Sequence, residues 1–138
     1  MSTFRTAVIT IAFIFSISAF AGYTQPAEVE VVVNPNGSFY AGGDMWTARS
    51  ANNDVASIGC GVRKYTDATN NWGFCQASDE NDQFVVCYTR DQDMLDAISV
   101  LNDSSYIGFD GDSDGYCTRI AVSSQSLYAP LTTTKGKQ

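Results

Sequence analysis

Four cysteines, Cys60, Cys75, Cys87 and Cys117, constrain the fold of this 138-residue chain more than any other feature. Their spacings of 15, 12 and 30 residues include no C-x-x-C pair and match no common zinc-binding pattern. In an oxidising compartment such a set predicts two structural disulfides, whereas in the cytosol it predicts free thiols or a metal site. The rest of the chain must therefore indicate the compartment.

The amino-terminal segment indicates export. Met1–Arg5 is short and polar with one positive charge, an uncharged apolar run covers residues 6–20, and Ala19-Phe20-Ala21 forms an A-x-A cleavage site. The apolar run is shorter than the roughly 20 residues that a bilayer span needs. We therefore expect a signal peptide at 1–21, a secreted or periplasmic mature protein, and no membrane insertion after signal cleavage.

The mature chain has the size of one domain and is acidic. Residues 22–131 are expected to form a single disulfide-stabilised β-rich domain, followed by a disordered tail at 132–138. The chain carries 15 acidic residues against 8 basic ones, for a net charge of −7. Nucleic-acid binding needs a basic surface, so this class is excluded. The acidity suits calcium or a basic protein partner. The alternative is that it only keeps the protein soluble.

The chain contains no histidine. This excludes Ser-His-Asp triads, Cys-His nucleophile pairs and histidine-ligated zinc. The only glutamates are residues 28, 30 and 80, and no pair of carboxylates has a spacing that suggests glycosidase chemistry. We therefore expect a protein that is not an enzyme and has no catalytic residues.

Alternation of apolar and polar residues predicts a mostly antiparallel β structure of six to eight short strands. Gly, Pro, Asn and Asp clusters predict turns at 34–37, 41–44 and 110–115. The expected strands are Glu28–Val33, Ser38–Tyr40, Met45–Ala51, Val55–Lys64, Trp72–Ser78, Gln83–Thr89, Tyr106–Phe109 and Tyr116–Ser123.

One segment has helical periodicity instead. Leu95, Ile98 and Leu101 recur at helical spacing and predict one amphipathic helix near 91–101, whose apolar stripe belongs to the core. Thr89, with a glutamine three residues later, resembles a capping box. The predicted fold class is therefore α+β, predominantly antiparallel β, with one helix and two disulfides.

The predicted hairpin selects one of the three cysteine pairings. It places Cys75 directly opposite Cys87, and opposed Cβ atoms in an antiparallel pair lie within reach of a disulfide. We therefore predict Cys75–Cys87, which leaves Cys60–Cys117. In the predicted last strand, Cys117 falls on the opposite face from the apolar residues Ile120 and Val122. The second disulfide therefore requires that both faces of this strand are covered, or that a bulge lies near Gly115.

One loop has the pattern of a metal site. Asp110, Asp112 and Asp114, followed by Gly115, spell D-x-D-x-D-G. In calcium loops alternate Asp side chains converge on one ion, and the next backbone carbonyl, here that of Tyr116, also ligates. The twelfth position holds alanine instead of the glutamate of an EF-hand, so this is not an EF-hand. Calcium is the one candidate cofactor, and the alternative is a polar, Gly-rich hairpin turn.

Short motifs run through most of the mature domain: Ile58-Gly59-Cys60, Trp72-Gly73-x-Cys75, Cys87, Leu95 and Ile98, Tyr106-Ile107-x-Phe109, and Gly115-x-Cys117-Thr118-x-Ile120-x-Val122. In this order, from about Gly42 to Pro130, they resemble a group of small secreted bacterial proteins with four cysteines and no assigned activity. The resemblance implies export and a shared disulfide framework. It brings no activity, cofactor or catalytic residue.

These observations favour a non-enzymatic exported domain that acts through surface interactions with a protein partner that the sequence does not identify. One alternative is a proteinaceous inhibitor of a basic extracellular hydrolase, because the chain is small, disulfide-bonded and acidic. The other is a calcium-binding extracellular module. A sugar-binding platform is a further candidate, although aromatics at strand positions more often pack in the core. Its candidate residues are Tyr40, Trp46, Tyr65, Trp72 and Tyr128.

Overall fold

The computed structural model describes residues 23–130, which form seven antiparallel β-strands in two sheets. This confirms the predicted α+β class with predominantly antiparallel strands. The expected signal peptide at 1–21 and tail at 132–138 lie outside the described residues and stay predictions. The strands are β1 (Glu30–Val33), β2 (Phe39–Asp44), β3 (Ser57–Arg63), β4 (Trp72–Ser78), β5 (Phe84–Thr89), β6 (Ser105–Gly111) and β7 (Cys117–Ser124); the helices are α1 (Met45–Ser50) and α2 (Gln92–Ser99), with 3-10 turns at Ala68–Asn70 and Ser126–Tyr128.

The two sheets share one hydrophobic core. Sheet A has the strand order β1-β2-β6-β7, and sheet B has the order β3-β4-β5. Side chains alternate between the two faces of each strand, so every second residue points inward. Phe39 and Phe109 pack edge to face in sheet A with ring centroids 6.3 Å apart. The fully buried apolar residues of the strands are Ala41, Cys75, Ala77, Cys87, Ile107 and Phe109.

Helix α2 lies over one end of the inner face of sheet B. Its Leu95 and Ile98 are buried, which confirms that the apolar stripe belongs to the core. Gly73 allows the close approach, since a Cβ atom there would lie 2.8 Å from Leu95 Cδ2 and 3.0 Å from Ile98 Cδ1. The predicted capping box is wrong. Asp91 is the N-cap and accepts from the Met94 backbone N–H at 3.0 Å.

The structure differs from the sequence prediction between residues 41 and 51. The expected turn at 41–44 is the last four residues of β2, and helix α1 occupies Met45–Ser50, where a strand was expected, so both predictions are wrong. Asp44 is the N-cap of α1. Its Oδ1 accepts from the Thr47 N–H and its Oδ2 from the Ala27 N–H, both at 2.7 Å, so one buried carboxylate caps the helix and holds the leading segment.

The predicted disulfide pairing is wrong, although the hairpin register behind it is right. Cys75 does lie opposite Cys87, but it also lies opposite Cys60 in β3. The bonds are Cys60–Cys75 and Cys87–Cys117. The Cα atoms of Cys60 and Cys75 are 4.0 Å apart, the spacing of a non-hydrogen-bonded pair. The backbone N–H and C=O groups of Cys75 therefore point toward β5. This makes Cys75 and Cys87 a hydrogen-bonded pair, whose Cα atoms are farther apart than those of Cys60 and Cys75.

A β-bulge turns Cys117 inward. Asp110 pairs with Arg119 while Gly111 pairs with Cys117, so Thr118 is the extra residue of β7. Of the two alternatives that the sequence left open for Cys117, covered faces or a bulge near Gly115, the structure has a bulge. The Cys87–Cys117 bond then joins the first strand residue of β7 to β5, and so links the two sheets. Among the described residues, no helix has the length and apolar character that crossing a membrane requires.

Candidate functional site

The predicted calcium loop is the hairpin between β6 and β7. Asp112 organises it: its Oδ1 accepts from the backbone N–H of Asp114 at 3.0 Å and from that of Tyr116 at 2.8 Å. Its own N–H donates to the Tyr116 carbonyl at 2.9 Å. Gly115 has a φ of 84°, a left-handed conformation that favours glycine. These bonds describe a closed polar hairpin turn.

The three carboxylates of this loop have separate surroundings. Asp110 forms an ion pair with Arg119, and the aspartate raises the pKa of that guanidinium above its usual value. Within residues 23–130, no three His, Cys, Asp or Glu side chains lie close enough together to hold a metal. The predicted ligands Asp110, Asp112, Asp114 and the Tyr116 carbonyl are therefore neighbours along the turn without forming one cluster. Calcium binding there stays a prediction.

The outer face of sheet B carries a different feature, a row of aromatic rings of which two are exposed and two are half-buried. Cysteines occupy the inner positions of β4 and β5, so the alternate positions face outward. Phe74 lies directly opposite Tyr88, and Tyr88 bridges to Tyr116 in the parallel direction. Tyr88 is 48% exposed and Tyr116 is 63% exposed. We call Trp72, Phe74, Tyr88 and Tyr116 the aromatic platform.

Trp72 contacts two of the other platform rings. The Trp72 ring centroid lies 5.8 Å from that of Phe74 and 6.0 Å from that of Tyr88, both in tilted arrangements. Such offset contacts are the favourable geometry for aromatic pairs. An open cavity of about 420 Å³ is lined by Trp72, Tyr88 and Tyr116, together with Thr89 and Arg90. The platform is therefore a shaped surface with an apolar hollow.

Two arginines flank this platform. Arg63 lies opposite Trp72 in the sheet register, and its guanidinium carbon is 6.0 Å from the Trp72 ring and 5.4 Å from the Phe74 ring. Arg90 follows β5 and lines the cavity on the other side of Trp72. In the described part of the chain, neither arginine forms an ion pair. Two unpaired positive charges thus border the aromatic surface of an acidic protein.

Comparison of the chain with protein-family models, curated proteins and solved structures finds no match.

Sequence reasoning found only part of this site. Of the five aromatics considered for a sugar platform, only Trp72 belongs to it. Tyr40 lies in β2 and bonds to Tyr106, and Tyr128 ends the second 3-10 turn, with its ring 5.5 Å from that of Tyr106. Trp46 lies in α1, and Tyr65 lies in the loop after β3. The missed residues had a signal in the sequence. Once the cysteines are inward, the alternate positions of the same hairpin must be outward, and most of those positions are aromatic or apolar.

A second, larger concavity is acidic. It has a volume of about 940 Å³ and lies between α1, the segment before β1 and the β4–β5 loop. Glu28, Glu30, Asp79 and Glu80 line it, and no lysine or arginine is among its lining residues. Trp46 also lines this groove, and 43% of its surface is exposed. We call this concavity the acidic groove.

The outer face of sheet A carries a tyrosine pair. The hydroxyls of Tyr40 and Tyr106 share a hydrogen bond of 2.9 Å above Gly42, where any Cβ atom would collide with them. Burial, and next the bond to Tyr40, raises the pKa of the Tyr106 hydroxyl to about 12. Both effects favour the neutral phenol. The rings of this pair are half-buried, whereas Tyr88 and Tyr116 of the aromatic platform are exposed.

Proposed function

We propose that this protein is an exported, non-enzymatic binding domain that acts through the aromatic platform. The observation that carries the proposal is the exposure of Tyr88 and Tyr116 beside Trp72 on one sheet face, around an apolar cavity. Contiguous exposed apolar surface is costly in water, and in monomeric proteins it marks interaction sites. The export part rests on the predicted leader and agrees with the two disulfides.

The composition of the platform supports binding. Tyr, Trp and Arg dominate the energetics of protein binding sites because they combine large apolar area with polar edges. Here two tyrosines, one tryptophan and two arginines occur in two neighbouring rows that run across sheet B and the adjoining Tyr116. The cavity volume of about 420 Å³ lies within the usual range for small ligand pockets.

A capture experiment tests this proposal. The mature protein is immobilised and exposed to proteins and glycans from the extracellular fraction, beside the double variant Tyr88→Ala/Tyr116→Ala. Phe84→Ala is the matched control, because Phe84 is 57% exposed on the same sheet face but lies outside the cavity. Ligands should be retained by the wild type and by Phe84→Ala, and lost from the double variant. Equal retention by all three proteins contradicts the proposal.

The acidic groove favours a second function, inhibition of a basic extracellular hydrolase. Three exposed glutamates and an exposed tryptophan line this concavity of about 940 Å³. Opposite charge across an interface speeds association and selects partners. Slowed association of Glu28→Gln/Glu80→Gln with a basic hydrolase, at unchanged rates for Tyr88→Ala, would favour this function over the first.

Calcium binding is the third proposal, located at the Asp110–Gly115 loop. Asp110 would have to leave Arg119 to ligate the ion, so binding should be weak and should need millimolar calcium. The melting temperature should then rise with calcium and fall with a chelator, and Asp114→Asn should remove the difference. An unchanged melting temperature under both conditions contradicts this proposal.

A further inference from the structure

We infer that the ligand of the aromatic platform is an acidic oligosaccharide, a chain of sugar rings that bear carboxylates. This inference rests on the proposed function and names the chemistry of its ligand. It draws on three properties of the platform: the spacing of its rings, the charges beside it and its small area.

The rings are arranged as a sugar chain requires. Phe74, Tyr88 and Tyr116 occupy successive positions across the sheet, and neighbouring strands lie about 4.8 Å apart. This step is close to the length of one hexose unit. The C–H faces of a pyranose are apolar and pack on aromatic faces, whereas its hydroxyl edges take hydrogen bonds. The phenol groups and the indole N–H supply such polar edges beside the apolar cavity.

The arginines add a preference for acid. Arg63 and Arg90 lie on opposite sides of Trp72, and a guanidinium can donate two parallel hydrogen bonds to one carboxylate. Arg63 is held over the rings of Trp72 and Phe74, so its position is preorganised. A sugar that stacks in the cavity would bring its carboxylate within reach of Arg90. The two charges therefore complement an anionic ring better than a neutral one.

The area and the edges of the sheet disfavour other occupants. The outer face of sheet B measures roughly 14 by 23 Å, or about 300 Å², from strand spacing and rise. A stable dimer needs about 800 Å² from each partner, so a second copy gains too little. An extended peptide would gain most by adding a strand at an edge. Beside the platform, however, Gly115 already accepts from the Tyr88 N–H.

Nucleic acid is disfavoured by the charge of the whole protein. The net charge of −7 repels a polyanion that extends beyond the platform. A short acidic oligosaccharide keeps its carboxylates near Arg63 and Arg90, and interactions with more distant acidic residues are screened within about 8 Å at physiological salt. A ligand that is only a few rings long is therefore attracted by the two arginines and is little repelled by the acidic residues farther away.

Calorimetric titration of the mature protein tests the inference with matched ligand pairs. Each pair is a short oligomer of a hexuronic acid (galacturonate, mannuronate or a glucuronate-containing oligomer) and the same oligomer with its carboxylates reduced to alcohols. The wild type should bind at least one acidic oligomer about tenfold or more tightly than its reduced form. Tyr88→Ala and Tyr116→Ala should each weaken both forms by about tenfold or more. Arg90→Gln should reduce the preference for acid, and Arg63→Gln/Arg90→Gln should remove it, with the affinity for the reduced form unchanged.

Controls separate this inference from the proposed function. Phe84→Ala should bind like the wild type, and circular dichroism should show that all variants are folded. Equal affinity for the acidic and reduced forms, or no binding of any oligomer, overturns the inference. If a protein or peptide ligand is then lost with Tyr88→Ala/Tyr116→Ala, the proposed function stands without it. If no ligand depends on these tyrosines, both are overturned.

Discussion

The backbone N–H of Tyr88 donates to the carbonyl oxygen of Gly115 at 2.9 Å, and this bond joins the edge of sheet B to the end of the β6–β7 hairpin. The neighbouring residues Cys87 and Cys117 are disulfide-bonded, with Cα atoms 5.0 Å apart. Tyr88 and Tyr116 are therefore placed side by side by a crosslink between residues 30 positions apart. The platform depends on this junction because it takes its rings from both hairpins.

The disulfide pairing can be checked by peptide mapping of the unreduced protein. Trypsin separates Cys60 from Cys75 but leaves Cys75 and Cys87 in one peptide, so cleavage after Glu80 is also needed. Mass spectrometry should then find Cys60 linked to Cys75, and Cys87 linked to Cys117. A peptide pair with Cys75 linked to Cys87 would contradict the described structure.

Removal of the two disulfides should have unequal effects. Chain-entropy estimates give about 3 kcal/mol for the Cys60–Cys75 loop and about 4 kcal/mol for the longer Cys87–Cys117 loop. Paired Cys→Ala variants, unfolded in denaturant, should follow this order. The Cys87→Ala/Cys117→Ala variant should also lose ligand binding, because Tyr116 is no longer held beside Tyr88. A larger loss of stability from the Cys60→Ala/Cys75→Ala variant would contradict the expected order.

Two glycines of sheet B should respond differently to substitution by alanine. Gly73→Ala should lower the free energy of unfolding by about 1–3 kcal/mol, because its methyl group would press on Leu95 and Ile98. Gly59→Ala is the matched control, since a Cβ atom there has no neighbour within 4 Å among residues 23–130. Urea unfolding of both variants measures the difference. Equal losses would show that α2 does not pack closely on Gly73.

The buried carboxylate of Asp44 should matter more than an exposed one in a similar turn. Asp44→Ala leaves the N–H groups of Thr47 and Ala27 without their acceptor and should cost about 2 kcal/mol. Asp67→Ala is the control. Asp67 also caps a turn, through Thr69, but it is fully exposed, and its bonds to Thr69 lower its pKa. Thermal unfolding should show the larger loss for Asp44→Ala.

The tyrosine pair of sheet A predicts a loss of stability at high pH. The pKa of Tyr106 is raised to about 12 from the ordinary 10, so the folded protein keeps this proton where the unfolded chain loses it. The resulting stability is fully present below pH 10 and is lost as the pH rises from 10 to 12. In a tyrosinate absorbance titration, Tyr40→Phe should lower the pKa of Tyr106. Tyr23→Phe, a change at an exposed position, should leave the last titration step unchanged.

Local pattern was enough to predict several elements. The hairpin of β4 and β5 and the helix α2 follow from periodicities of two and 3.6 residues, which adjacent residues determine by themselves. The same holds for the register that puts Cys75 opposite Cys87. The strand class of the fold also followed from these patterns, because alternation with turn residues recurs along the chain.

Contacts between distant segments decided the rest. Cys75 has a possible partner on each side, and only the pairing of β3 with β4 shows which one is closer. Helix α1 stands where a strand was predicted. Its N-cap, Asp44, is a local signal that the predicted turn at 41–44 passed over, whereas the bond from the Ala27 N–H that buries Asp44 depends on a distant segment. The platform combines rings from β4, β5 and the residue before β7. The outward positions of β4 and β5 follow from the alternation of the sequence. The contact between Tyr88 and Tyr116 depends instead on how the two sheets join.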